Sequence, residues 1–187
     1  MKTVILLRHA KSSWNDPDLD DHERPLNRRG KVAAPAIARW LGRNGYQADR
    51  VLCSTSKRTR QTLKRMRPVL PDLPEAVVEP KLYHAAPGVM FEILAQQPDD
   101  AHCVLVIGHQ PGLSAFARHL VNGRIRPGCA RAFEHFPTAA AAVLKLPVER
   151  WSALSPHSAE FVDFAVPRAL MAEEIVHEEP MLEAAPL

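Results

Sequence analysis

No apolar run in this 187-residue chain approaches the ~20 residues needed to span a bilayer, which argues against a membrane protein. The only stretch that could be mistaken for the start of a signal peptide, Val4 to Leu7, is short and runs directly into charge, so it reads as a first strand. Cysteine is scarce. Cys53, Cys103 and Cys129 form an odd set without C-x-x-C spacing, which supports neither a disulfide framework nor a zinc knuckle and makes the reduced cytoplasm the expected compartment. Excess charge is also lacking: a formal net charge of +3 does not call for a polyanion partner. No aromatics interleave with the one dense basic cluster, Lys57 to Arg67, so base stacking has little support and no nucleic-acid partner is expected. Internal repeats and long linkers are missing too, and one domain is the natural reading.

What is present is a soluble-domain composition, 46% hydrophobic, with short apolar runs alternating with helix-like segments. Val4 to Leu7, Val51 to Cys53 and Val104 to Ile107 suit strands buried on both faces of a mainly parallel sheet. Ala33, Ile37, Trp40 and Leu41 repeat at helical spacing, with Asn27 as N-cap and Gly45 as stop. Pro35 inside that segment predicts a kink or a late helix start. Thr59, Leu63, Met66 and Leu70 form a second stripe, with Lys57, Arg60, Lys64 and Arg67 on a neighbouring, solvated face. Further helices are expected over Pro87 to Gln96 and from Pro111 to Leu120. Late strands, expected to pair as a hairpin, are Ala141 to Leu146 and Phe161 to Val166. The fold class is therefore α/β, a sheet flanked by helices in three layers. Residues 1–167 form the domain, and residues 168–187 form an acidic, proline-containing tail expected to be loosely ordered.

Three apolar runs end in the same way, in LLRHAKSS, VLCSTSKR and VLVIGHQPG. Loops at the carboxyl ends of parallel strands converge on one crevice, so Arg8, His9, Ser12, Ser54, Arg58 and His109 are candidates to meet there. Arginine forks match phosphate oxygens, which makes the expected ligand an anion. A single histidine after a strand is most often structural. Two, His9 and His109, in equivalent places after different strands make a better case, and Arg58 lies at a helix start where free N–H groups already favour an anion. Ser12 either caps a turn or touches the ligand; Lys11 is either exposed or a contact.

Arg8-His9-Ala10 resembles the arginine-histidine-glycine signature of the histidine phosphatase (phosphoglycerate mutase-like) superfamily. Alanine in the third place points to its phosphohistidine phosphatase branch. RHAKSSW, RPLNRRG from Arg24 to Gly30, STSKRTRQT from Ser54 to Thr62 and VIGHQPGL from Val106 to Leu113 follow that branch in order. The resemblance implies a three-layer fold and a nucleophilic His9 that carries the phosphoryl group. Arg8 and Arg58 would hold the phosphoryl oxygens, His109 would be a further phosphate ligand, and no metal or cofactor would be needed. It implies a phosphatase acting on a phosphohistidine-bearing protein. A small-molecule phosphate ester phosphatase and a noncatalytic phosphate-recognition module are the competing readings. Ester-cleaving members supply a glutamate after the third strand; the comparable VVEPKLYHA, Val77 to Ala85, offers Glu79 and His84 as the general acid.

Overall fold

The computed structural model describes residues 1–178, with side chains through residue 172. Seven strands form one sheet: β1 (Lys2–Arg8), β2 (Arg50–Cys53), β3 (Ala76–Val78), β4 (Cys103–Gly108), β5 (Val121–Ile125), β6 (Ala141–Leu146) and β7 (Ala159–Ala165), in the order β3-β2-β4-β1-β6-β7-β5. The block β3-β2-β4-β1 is parallel, β6 runs antiparallel to both β1 and β7, and β5 is parallel to β7. Five helices flank it: α1 (Arg28–Arg43), α2 (Lys57–Met66), α3 (Pro87–Ala95), α4 (Gly112–Leu120) and α5 (Pro167–Glu178).

The period-2 alternation of a strand divides the core into two layers. Val4 and Leu6 of β1 face the layer containing Met90, Leu94, Leu113 and Phe116 of α3 and α4; Ile5 and Leu7 face that of Ile37 and Leu41 of α1 and Met66 of α2. Burial on both faces is why the central runs carry no polar alternation. β6 and β7 pair antiparallel as expected, but across a long connection rather than a tight turn. β3, Ala-Val-Val, is too short and β5, VNGRI, too polar to be read as strands from the sequence.

One expectation is narrowed and one is corrected. α1 begins at Arg28, with the Asn27 side chain accepting from Gly30 N, and continues through Pro35 without a late start. The proline leaves one carbonyl, that of Lys31, without its helical donor, at an exposed residue. The tail expected to be loose from residue 168 is instead helical to Glu178. α5 packs against α1 with Leu170 on the core, and Pro167 at its first position suits a helix start. The rest of the tail lies outside the described residues.

Candidate active site

The parallel register pairs Arg8 with Gly108, so the next residues, His9 and His109, leave neighbouring strands side by side. Their rings lie 5.2 Å apart between centroids. On the other side of β4, Cys53 pairs with Ile107 and Ser54 N bonds to Ile107 O, which brings the start of α2 to the same edge. Ser56 caps α2 through Thr59 N, and the first turn then turns Arg58 inward, 3% exposed, while Arg60 two residues on stays in solvent. The sheet thus brings together Arg8, His9, Ser54, Arg58 and His109.

The hydrogen bonds fix both ring tautomers. His9 Nδ1 lies 2.8 Å from the Ala10 carbonyl, which can only accept, so Nδ1 carries the proton and Nε2 holds a free lone pair. Arg58 Nη2, which can only donate, lies 3.4 Å from His109 Nδ1; the His109 proton is therefore on Nε2, donated to Ser54 Oγ at 2.8 Å. Burial pushes the His9 pKa down to about 3, against the Ala10 hydrogen bond, and the charges of Arg58, Arg8 and Arg24 push the same way. Burial, the His9 ring, Arg58 and His84 bring His109 down to about 2. Both rings are neutral at pH 7, and burial exceeds the guanidinium charges as the cause.

Arg8 donates from Nη1 to Phe136 O at 2.8 Å, while its buried Nε has no partner among the described residues. A guanidinium carries five N–H donors, so most of this fork is left for a ligand. Ser12 sits elsewhere. Its hydroxyl is buried and accepts from Arg24 Nη2 at 2.7 Å, behind the crevice, so it acts on the cluster through Arg24.

Sequence reasoning missed Asp21 and Tyr83. Asp21 lies in a short 3-10 turn, Asp21–Glu23. Its carboxylate accepts from Arg58 Nη2 at 2.9 Å, Arg24 Nη1 at 2.7 Å and Tyr83 Oη at 2.7 Å, and its carbonyl accepts from Arg58 Nη1. Partial burial alone would raise its pKa, but these donors outweigh that and hold it well below the usual carboxylate range. Tyr83 meets the His109 ring edge-on at 5.3 Å. His84 lies against Tyr83 with the rings tilted, its Nε2 3.6 Å from Asp21 Oδ2 and its ring 5.5 Å from that of His109. Its loop is fixed by α4: a Cβ at Gly112 would lie 2.1 Å from the Ala85 carbonyl, so only glycine permits the approach. Glu79, the other candidate acid, caps the next short turn by accepting from Lys81 N.

The profile of the histidine phosphatase superfamily (branch 1) matches residues 4–90. A protein of Mycobacterium tuberculosis without assigned function is 40% identical over 164 residues, 87% of this chain and all of the relative. Among solved structures, a protein of Nakamurella multipartitia provisionally named phosphohistidine phosphatase SixA superposes with a TM-score of 0.76 at 31% identity, over 89% of this chain and 96% of that one. The protein histidine phosphatase SixA complexed with tungstate gives 0.73 at 27% identity, over 90% and 99%. The chain belongs to the histidine phosphatase superfamily, in its SixA-like branch.

In this histidine phosphatase the fold is phosphoglycerate mutase-like, and the family supports phosphatase activity. Asp21 was hidden by its surroundings. It stands among Asp16, Asp18, Asp20 and Glu23, five carboxylates with nothing in spacing to separate them. The one usable signal was Arg24 three residues on, an i,i+3 partner. Among the described residues, no helix is long and apolar enough to cross a membrane.

Proposed function

We propose that this protein is a phosphohistidine phosphatase that works through a phosphohistidine on His9. The observation that carries the reading is the neutral His9 ring, its Nδ1 proton on the Ala10 carbonyl and its Nε2 lone pair free, beside the fork of Arg8 and the guanidinium of Arg58. Nε2 attacks phosphorus as the bond to the leaving nitrogen breaks, and the phosphoryl group passes to His9. Arg8 and Arg58 stabilise the charge spread over the equatorial oxygens, and His109 becomes a further phosphate ligand when its Nε2–H turns from Ser54 Oγ to a phosphoryl oxygen. His84, held beside the Asp21 carboxylate, delivers the proton that the leaving imidazole takes up. Water then attacks the phosphohistidine, its proton returns to His84, and breaking of the P–Nε2 bond releases phosphate and restores the ring.

The tungstate complex of the SixA relative supports an oxyanion ligand, because tungstate is a tetrahedral oxyanion like phosphate. A phosphoramidate has a weaker bond to break than an ester. That agrees with a site whose proton donor is an exposed histidine rather than an embedded glutamate. The test incubates the protein with a phosphohistidine-bearing phosphotransfer protein and a panel of sugar phosphates, trapping phosphoenzyme in alkali, where phosphohistidine survives. Rapid dephosphorylation of the protein, with trapped label lost in His9→Asn, is expected. Release of phosphate from the esters with the phosphohistidine protein left intact overturns the reading.

A further inference from the structure

Next to the crevice, on the α1 and α5 side of the sheet, lies a groove of about 830 Å3 that the reaction above does not use. Its charged lining is cationic, from Lys11, Arg28, Arg29 and Arg168, with His135 and Thr138 as further polar side chains and no carboxylate among the described residues. None of these four Lys and Arg side chains has an ion-pair partner among the described residues. Two helices of more than eight residues begin at the groove, α1 at Arg28 and α5 at Pro167, adding the positive ends of their dipoles. Its floor is apolar, from Val32, Val166 and Met171, and Val32 is 48% exposed.

The groove is tied to the nucleophile. Lys11 is two residues beyond His9, and Gly30 seats α1 on it so closely that a Cβ there would lie 2.2 Å from Lys11 O. The facing wall, Pro137 and Thr138, lies between Phe136, whose carbonyl holds Arg8, and Ala139, whose N–H bonds to the Arg8 and His9 carbonyls. A ligand seated in the groove therefore lies within a few residues' reach of a phosphoryl group on His9, since consecutive Cα atoms are ~3.8 Å apart.

We infer that this groove docks an acidic, amphipathic segment of the phosphoprotein substrate, its carboxylates on the cationic rim and its apolar side chains on the floor. The inference rests on the phosphohistidine reading for the identity of the substrate. Charge complementarity sets the sign of the occupant. The apolar floor favours a protein segment over nucleic acid, and His135 is the one aromatic ring among the described lining residues, too few for a stacking platform. A neighbouring depression that shares His135, Val166 and Arg168 carries one acid, Glu134, and one further cation, Arg131, so the basic character is sharpest beside Lys11.

The decisive variant is Arg28→Glu with Arg29→Glu. Both positions are exposed, and acids in the first turn of a helix favour it, so the fold is retained and an unchanged melting temperature verifies this. For the phosphohistidine-bearing protein, KM should rise about tenfold or more with kcat held, whereas hydrolysis of free phosphoramidate should not change. Equal loss on both substrates overturns the inference, and so does no change on either. A second arm does not depend on activity: binding of a fluorescent peptide of alternating Glu and Leu clusters, followed by anisotropy, should be lost in the variant and weakened by salt. If phosphohistidine turnover fails while this binding stands, the function is wrong and the groove survives. If the peptide does not bind, or a single-stranded oligonucleotide binds as tightly and displaces it, the groove assignment is wrong.

Discussion

The two ends of β1 carry a buried and a half-buried cation, and they are used in opposite ways. At the amino end Lys2 is 1% exposed, with Nζ donating to the carbonyls of Asp99 and Ala101 and lying 6.0 Å from the centre of the Trp151 ring. At the carboxyl end Arg8 has one protein acceptor, Phe136 O, and a buried Nε with none among the described residues. A cation whose hydrogen bonds are met by the fold acts as a plug; one left short of acceptors acts as a receptor. A burial cost without compensating acceptors is tolerated where a ligand supplies them.

The sharpest way to break this comparison is to make both cations methionine. Arg8→Met should lower kcat/KM on the order of 10²- to 10³-fold, the scale of removing one oxyanion donor, with little loss of stability in urea unfolding. Lys2→Met should do the reverse. It strands the Asp99 carbonyl, while that of Ala101 keeps Trp151 Nε1 at 2.7 Å, so about 1–3 kcal/mol of stability should be lost with kcat/KM unchanged. If both variants lose activity alike, the distinction between plug and receptor fails.

The same contrast predicts an acid sensitivity. The folded rings of His9 and His109 have pKa values of about 3 and about 2, against ~6.5 for an exposed imidazole. Below about pH 6.5 the unfolded chain takes up protons that the folded rings refuse, so stability falls as pH falls towards 3 and levels off above 6.5. The slope is about 1.4 kcal/mol per pH unit for each ring. Urea titrations at pH 7 and pH 5.5 should show it, and His9→Asn should remove one ring's share; equal slopes in the two proteins would refute the assignment. The smallest effect is expected from Asp21→Asn. It keeps the size of the side chain that orients Arg58 but removes its charge, and kcat/KM should fall about tenfold, or ~1.4 kcal/mol. Unchanged kinetics would mean that Arg58 needs no such anchor.

How legible each part was depended on the range of the interaction that made it. β1, β2 and β4 were readable because burial on both faces leaves continuous apolar runs. Histidines directly after two such runs pointed to the crevice, and the parallel register that aligns Arg8 with Gly108 then placed them together. β3 and β5 were silent, being an edge strand of three residues and a polar strand held by its partner β7. Ser12 looked like a pocket residue by its nearness to His9, yet its hydroxyl is held by Arg24, a contact no spacing rule supplies.

The sequence by itself determined the α/β alternation, the cap at Asn27, and the family motifs around His9, Arg58 and His109, all of which are local patterns of residue type. Only the tertiary structure decided which of five neighbouring carboxylates holds Arg58, that His84 rather than Glu79 stands by the crevice, and that Lys11, Arg28, Arg29 and Arg168 share one groove. The physical reason is distance along the chain. Helix and strand periodicities are set within a few residues, whereas hydrogen bonds between loops and the burial that shifts a histidine's pKa arise only after the sheet has brought distant strand ends together.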